Sequence, residues 1–340
     1  MTAMEKGIEI LQNPKLIDRY NRHLNYLRIS ITDRCNLHCL YCVPQDLIPR
    51  LHHDDILRYE EIIRIVKVGI GLGISKVRVT GGEPLVRKGV YDFLKDLTAI
   101  AGLSDVSLTT NGVLLQENIR KIYDAGISRI NISLDTLNRN KFEKITGHDA
   151  FNRVWQGIEA AQAIGFAPIK LNIVALNGIN DEELTDMARL SLTRPFHIRF
   201  IEYMPIGKSR MGNGPLLLAP EIKERFRVLG KLIPIKNDQN DGPAKRYKIE
   251  GAVGEIGFIP AISQHFCNGC NRLRLTASGQ LRPCLLSDHQ EDLRGLLRGG
   301  GSDQQLAEHF FKAVRHKPSD HNLAGQRAGR VCGQMRAIGG

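Results

Sequence analysis

A parallel α/β fold, arranged as an open or partial barrel of six strand–helix units, is predicted by three features of this 340-residue chain. Short β-branched runs alternate with helical patterns six times within about two hundred residues, which argues for a parallel sheet covered by helices. Polar residues suited to chemistry sit at or just after the ends of those runs, the face on which parallel α/β folds carry their sites. Beyond about residue 206 the pattern gives way to Gly-, Pro- and Lys-rich sequence and then short strand runs, so a smaller α+β extension is expected there.

The strand runs, in order, are 26–31 (YLRISI), 76–79 (KVRV), 105–109 (DVSLT), 129–133 (RINIS), 169–175 (IKLNIVA) and 197–202 (HIRFIE). Helical patterns fall near 58–71, 89–100, 115–124, 150–164 and 180–190. In the extension, a helix is expected near 219–227. Short strands at 247–250, 255–259, 273–276 and 280–282 are expected to run antiparallel, with Ala277-Ser278-Gly279 as a turn between the last two. Helices near 288–298 and 302–314 follow, and the chain closes on Gly339-Gly340. The expected divisions are a helical segment over 1–24, the barrel over 25–206 and the extension over 207–340.

Hydrophobic residues make up 42% and charged residues 24%, the balance of an ordinary soluble chain. Forty-seven Lys and Arg against 36 Asp and Glu give a net charge of +11, which suits an anionic partner but does not choose one. No secretory signal and no bilayer-length apolar run are apparent, so a cytoplasmic location is expected. In that reducing setting clustered cysteines read as metal or catalytic sites rather than disulfides.

Six of the seven cysteines form two triplets, Cys35-x-x-x-Cys39-x-x-Cys42 and Cys267-x-x-Cys270 with Cys284. A structural zinc site closes with four protein ligands, whereas three thiolates leave a position open. Three cysteines in so short a loop suit one [4Fe–4S] cluster with a free iron; the alternative is zinc completed by His23, His38 or His52. At the second triplet zinc is a closer rival, with His265 and His289 as candidate fourth ligands.

The first triplet, with Tyr41 before its last cysteine, resembles the signature of the radical S-adenosylmethionine superfamily, and Thr80-Gly81-Gly82-Glu83-Pro84 after a strand resembles its cofactor motif. The run Phe266-Cys267-Asn268-Gly269-Cys270-Asn271-Arg272-Leu273-Arg274-Leu275-Thr276, the segment Tyr26 to Cys35 and the Gly-Gly end resemble, more narrowly, the GTP 3′,8-cyclase family (MoaA type) of molybdenum cofactor biosynthesis. That resemblance spans about Tyr26 to the last residue. It implies the radical S-adenosylmethionine type of partial (β/α)6 barrel and a lyase that converts GTP to 3′,8-cyclo-7,8-dihydro-GTP. It also implies two [4Fe–4S] clusters, held by Cys35, Cys39 and Cys42 and by Cys267, Cys270 and Cys284. S-adenosylmethionine is expected at Tyr41, Gly82, Glu83, Ser133 and Met204. GTP is expected at Arg28, Arg78, Thr109, Lys170, Arg272, Leu273 and Arg274. Arg272, Arg274, Gly339 and Gly340 are expected to serve catalysis.

The implied partners are a flavodoxin- or ferredoxin-like electron donor and, downstream, cyclic pyranopterin monophosphate synthase, with no nucleic acid and no membrane, for a monomer or homodimer. Two rivals remain at this point: a radical enzyme with an auxiliary cluster acting on a peptide or RNA, and a zinc-stabilised nucleic-acid-binding protein. Other signals are set aside. Gly69-x-Gly71-x-Gly73 precedes a strand, the reverse of a dinucleotide fingerprint. Gly207-Lys208-Ser209 lacks the first glycine of a P-loop, and Asn131-Ile132-Ser133 lies in an expected inner strand. Cys332 belongs to neither triplet and reads as a free thiol.

Overall fold

Alternation along the strands decides the architecture. In β1 (Tyr26–Ser30), Leu27 and Ile29 are fully buried, while Tyr26, Arg28 and Ser30 occupy the opposite face, as the two-residue period of a strand requires. The same division recurs in β2 (Lys76–Thr80), with Val77 and Val79 opposed to Lys76, Arg78 and Thr80. One face is thus aliphatic and the other carries charge. Burying each large aliphatic side chain stabilises the fold by about 1.5–3 kcal/mol, and the covering helices complete that layer.

The computed structural model describes residues 15–42, 50–206, 211, 215–236, 242–321 and 335–338. After β1 come α1 (Tyr59–Gly71), β2, α2 (Val90–Thr98), β3 (Asp105–Thr110), α3 (Leu115–Asp124) and β4 (Arg129–Ser133). Two helices, α4 (Arg139–Thr146) and α5 (Phe151–Ile164), lead to β5 (Ile169–Ala175), and α6 (Leu184–Thr193) leads to β6 (Phe196–Glu202). The helices turn inward the residues their period brings to one face: Ile62, Ile65, Val66 and Gly69 in α1, and Val154, Gly157, Ile158 and Ala161 in α5. The helix α4 was not anticipated; Asn138 caps it by accepting from the Lys141 N–H at 3.0 Å.

The extension supplies α7 (Ala219–Arg225), β7 (Leu232–Ile235), β8 (Lys245–Ile249), β9 (Glu255–Ile259), β10 (Arg272–Leu275), β11 (Gln280–Arg282) and β12 (Glu291–Asp292). Then follow α8 (Leu293–Arg298), α9 (Asp303–Arg315) and α10 (Met335–Ile338). Among the described residues all twelve strands join one sheet, in the order β12-β11-β10-β1-β2-β3-β4-β5-β6-β9-β8-β7. Two expectations are corrected here. β9 runs parallel to β6 and β10 runs parallel to β1, so the extension adds a parallel strand to each side of the six-strand sheet. The antiparallel pairing is confined to the outer strands, β10–β11–β12 and β9–β8–β7.

The extension is therefore not a detached lobe. Glu202, at the end of β6, is buried and accepts from Ala219 N at 2.7 Å, Ile262 N at 2.7 Å and Ser263 N at 2.8 Å, tying two segments of the extension to the barrel. α9 packs on α1, with Arg64 paired to Asp303 at 2.7 Å. The expected helical segment over 1–24 is also corrected as far as it is described. Residues 15–24 hold a β-bridge between Ile17 and His23 rather than a helix, and residues 1–14 lie outside the described residues.

Candidate active site

The parallel insertion of β10 decides where the two triplets lie. Cys35 follows β1 and so sits beyond its carboxyl end. Cys270 precedes β10, whose Arg272 is aligned with Tyr26 at the start of β1, so the second triplet lies at the opposite end. Between them the polar face of the sheet encloses a cavity. Its walls include Tyr41, Thr109 and Ser133 towards the first triplet and Cys270, Cys284 and Phe266 at the second. Tyr41, Thr109, Ser133 and Met335 also line the smaller pocket formed by Cys35, Cys39 and Cys42, so the two spaces adjoin.

A row of cations crosses this cavity. Register places Arg28 opposite Arg78 on one side and Arg274 on the other, with Arg272 opposite Tyr26 and Lys76 beyond it. Arg78 donates through Nε to Ser107 Oγ at 3.1 Å. Burial, reinforced by repulsion from Arg274, holds the Arg28 guanidinium well below its ordinary pKa. Burial and then Arg272 bring Arg274 down to about 10. Burial alone would raise the Tyr26 hydroxyl, but Arg78, Arg28, Lys76 and Arg272 hold it below its usual value. All of this describes a buried space that favours negative charge. Tyr26 Oη, Thr109 Oγ1 and Asn172 Oδ1 are buried at its wall without a hydrogen-bond partner among the described residues, as polar atoms awaiting a ligand are.

The first triplet is held by contacts from three other loops. His38 N donates to Thr146 O at 2.8 Å and Leu40 N to Ile145 O at 2.9 Å. Gly82 N donates to Thr32 O at 2.6 Å and Glu83 N to Arg34 O at 2.8 Å. A Cβ on Gly82 would lie 2.3 Å from Arg34 O, so only glycine permits this approach. Asn111 Nδ2 reaches Cys35 Sγ at 3.7 Å and Asn36 Oδ1 at 2.7 Å. Tyr41 donates to Asp135 Oδ2 at 2.7 Å, and burial raises that carboxyl to about 6.

The donor sets fit iron–sulfur clusters better than zinc. Sulfurs on one tetrahedral zinc lie about 3.8 Å apart, from bonds near 2.3 Å. Among the described residues, the three side chains whose ligand atoms all fall within 4.8 Å of one another are His289, Glu291 and His316, and neither triplet is gathered that closely. Four of the five histidines weighed as fourth zinc ligands have other side-chain partners. His38 pairs with His148 at 3.1 Å and His52 with Asp54 at 3.3 Å. His265 packs edge-on to His321, and His289 bonds Glu291 at 3.0 Å. At the first triplet burial, then Cys42, pushes the Cys39 thiol well up, so its thiolate calls for a cation. At the second, burial opposes ionisation of Cys270, but Arg272 and Lys317 outweigh it and bring the thiol down to about 6.

The expected site residues largely converge. Arg28, Tyr41, Arg78, Thr109, Ser133, Met204, Arg272 and Arg274 line the central cavity, and Gly82 lines the pocket of the first triplet. Lys170 lies on the same strand face, two residues before the cavity-lining Asn172 and opposite His197. The His197 imidazole is held down to about 4, first by burial and, against Glu255, also by Lys170 and Arg199. Leu273 faces the other way, fully buried in the aliphatic core, so only its backbone belongs to the site. The Glu83 carboxylate is turned to the chain: it accepts from Leu85 N at 3.0 Å, Thr110 Oγ1 at 2.8 Å and Asn111 N at 2.7 Å. It therefore fixes the loops around the cofactor pocket.

Gly339, Gly340, Cys332 and the 207–209 segment lie outside the described residues. The helix α10 just before the glycines does pack at the cavity, where Ile338 is buried against Ile206 and Leu285, beside Met204. Sequence reasoning missed Tyr26, Asn172 and Arg199, all of which line the cavity. Counting by two from Arg28 and Lys170 reaches the first two, and Arg199 stands mid-strand between Ile198 and Phe200.

Comparisons with known proteins agree with this geometry. The model of the Radical SAM superfamily matches residues 29–191, and that of Molybdenum Cofactor Synthesis C matches residues 196–323. The chain is 48% identical over 319 residues to the GTP 3′,8-cyclase of Moorella thermoacetica, covering 94% of this chain and 99% of that one. It is 47% identical to the GTP 3′,8-cyclase of Desulforamulus reducens, with 94% and 99% covered. Among solved structures, SuiB of Streptococcus suis bound to S-adenosylmethionine shares the fold with a TM-score of 0.60 at 14% identity, covering 87% of this chain and 69% of that one. A full-length match at this identity, on a barrel with a cysteine triplet at each end, has one meaning: the chain belongs to the GTP 3′,8-cyclase family of the radical S-adenosylmethionine superfamily.

Proposed function

We propose that this chain converts GTP to (8S)-3′,8-cyclo-7,8-dihydro-GTP, the first step of molybdenum cofactor biosynthesis. The observation that carries the reading is a cavity that reaches Cys270 and Cys284 and adjoins the pocket of Cys35, Cys39 and Cys42, with Arg28, Arg78 and Arg274 in one cross-strand row on its wall. When bound, the two [4Fe–4S] clusters and S-adenosylmethionine supply the electron, the 5′-deoxyadenosyl radical and an iron that engages guanine.

The chain's own share is orientation. Arg28, Arg78, Arg274 and Lys170 take the triphosphate, for which guanidinium forks and a buried ammonium are suited. Cys270, Cys284, Phe266 and Arg272 surround the base. Thr109 and Ser133, at the junction of the two pockets, face the ribose and the cofactor, and Tyr41 and Met204 flank S-adenosylmethionine. This arrangement turns C3′ towards the first triplet, and holding reacting atoms in contact lowers a barrier by up to about 7–11 kcal/mol. Gly339 and Gly340, which lie outside the described residues, are assigned to catalysis on the family resemblance alone.

A reduced flavodoxin- or ferredoxin-like protein supplies the electron, and cyclic pyranopterin monophosphate synthase takes the product. The enzyme is taken to work in the cytoplasm as a monomer or homodimer; separately, among the described residues no helix is long and apolar enough to cross a membrane. The deciding experiment incubates the reconstituted chain anaerobically with GTP, S-adenosylmethionine and a reductant. Formation of 5′-deoxyadenosine in step with the cyclised nucleotide is expected; equal 5′-deoxyadenosine with and without GTP would remove GTP as the substrate.

A further inference from the structure

Behind the second triplet runs a segment that the cluster motif does not include. After α9 the chain turns through Lys317-Pro318-Ser319-Asp320-His321 and passes beneath the three cysteines. Lys317 is only 2% exposed. Its ammonium carries three protons, and it meets three acceptors: Cys270 Sγ at 3.5 Å, Arg272 O at 2.8 Å and Pro283 O at 2.7 Å. Each acceptor belongs to the triplet or its immediate surroundings. Arg272 lies two residues after Cys270, and Pro283 directly precedes Cys284. One side chain thus ties the Cys267–Cys270 arm to the Cys284 arm.

The segment is itself fixed. The His321 N–H bonds the Cys267 thiol. Arg22 donates through Nη1 to Cys267 O at 2.7 Å and Ser319 O at 3.2 Å, and through Nη2 to Pro318 O at 2.6 Å, while its Nε meets Asp18 at 2.6 Å. What singles out Lys317 is its charge. Two carbonyls can be tied by neutral donors, yet here a strongly hydrated ammonium is buried with no carboxylate bonded to it among the described residues. Its compensating charge comes from the sulfurs. A [4Fe–4S] cluster on three thiolates is a net anion in both its oxidised and its reduced state, and more so when reduced. A fixed cation at one of its ligands favours the reduced form, since hydrogen bonds to sulfur and local charge set cluster potentials.

We propose that Lys317 is a positioning residue of the second cluster: its ammonium aligns the two cysteine arms through Arg272 O and Pro283 O, and raises the reduction potential through Cys270 Sγ. The proposal rests on the reading of Cys267, Cys270 and Cys284 as cluster ligands.

The test uses the full chain with Cys35, Cys39 and Cys42 changed to serine, so that reconstituted iron reports the second triplet alone. Lys317→Met keeps the length of the side chain and removes its charge; Lys317→Arg keeps the charge. Iron and sulfide are counted, and the midpoint potential is read by a redox titration followed by electron paramagnetic resonance. Lys317→Met is expected to weaken reduction at least tenfold, about 59 mV for one electron, and Lys317→Arg to restore at least half of that shift. Parental potential and iron content in Lys317→Met overturn the proposal. If Lys317→Met loses its iron, retention in Lys317→Arg supports it, and loss from both assigns the lysine to packing and overturns it. A parent chain without iron and sulfide overturns the cluster reading first, and the proposal with it.

Discussion

Gly82→Ala is the sharpest perturbation available at the first triplet. An added Cβ would stand 2.3 Å from Arg34 O, 2.7 Å from Arg34 C and 3.0 Å from Asp33 O, all backbone atoms with no rotamer to yield. Relief requires the 81–83 turn and the 33–35 turn to separate by about 0.7 Å before even the tightest ordinary contact is reached. The two hydrogen bonds that join these turns, Gly82 N to Thr32 O at 2.6 Å and Glu83 N to Arg34 O at 2.8 Å, oppose that separation. Overpacking of this kind costs about 1–3 kcal/mol, and straining the two bonds adds about 1 kcal/mol.

Cys35 is the next residue after Arg34, so its thiol moves with the carbonyl. A displacement near 1 Å at a reacting centre costs on the order of 10²-fold in rate. The assay compares Gly82→Ala with Gly71→Ala, where nothing lies within 4 Å of the added methyl. Denaturant unfolding of the metal-free chains measures stability, and the rate of 5′-deoxyadenosine formation measures the reconstituted site. Gly82→Ala is expected to lose about 2–4 kcal/mol and about 10²-fold in rate, with Gly71→Ala unchanged or slightly stabilised. A Gly82→Ala chain equal to its parent in both readouts would refute the close-approach argument.

Three further outcomes are expected. Burial raises Glu83 to about 7 and Asp135 to about 6, so the native chain holds protons that the unfolded chain releases. The stability they contribute is complete below about pH 4 and is lost as pH rises through 6 and 7; Glu83→Gln should flatten the fall in melting temperature of the metal-free chain over that range, and an unaltered slope would count against it. Lys76→Met strands the buried Asp105 carboxylate, now paired at 2.8 Å, leaving it among the described residues with the Arg129 ion pair at 3.3 Å, and should cost about 3 kcal/mol in urea unfolding, most of it recovered in Lys76→Met with Asp105→Leu. Arg274→Met should stabilise the ligand-free chain, by relieving repulsion on Arg28, while weakening GTP binding at least tenfold in calorimetry; a destabilised variant with parental affinity would contradict the cation row.

The barrel was legible because its strands obey a strict alternation: Leu27, Ile29, Val77 and Val79 announce one face and Arg28 and Arg78 the other. The strands 129–133, 169–175, 255–259 and 280–282 were placed to the residue. What alternation cannot state is which distant strand lies alongside. Ala277-Ser278-Gly279 correctly marks the β10–β11 hairpin, yet the other edge of β10 pairs with β1, separated from it by most of the chain, and no local signal encodes that partner. The role of Glu83 was hidden for a similar reason. Its carboxylate is claimed by Thr110 and Asn111 from the next strand end, a contact created by the sheet. Lys317 is one lysine among many until its buried contacts with Cys270 Sγ, Arg272 O and Pro283 O set it apart.

The pairing of β10 with β1 is also what makes one reaction out of two cysteine triplets. Had β10 run antiparallel to β1, Cys270 would lie at the same end as Cys35 and the arginines would not stand between them. In the parallel register Arg272 and Arg274 fall in line with Tyr26 and Arg28, so strands from the two ends of the sequence build one cationic wall. That wall is unfavourable for the chain alone, since burial and mutual repulsion push the Arg28 and Arg274 guanidinium groups below their ordinary values. An anion of several charges in the cavity offsets both effects at once, so affinity for a triphosphate and tolerance of this wall have the same origin. On the proposed reading, a nucleotide anchored there by its phosphates directs its base to the second triplet and its ribose to the first.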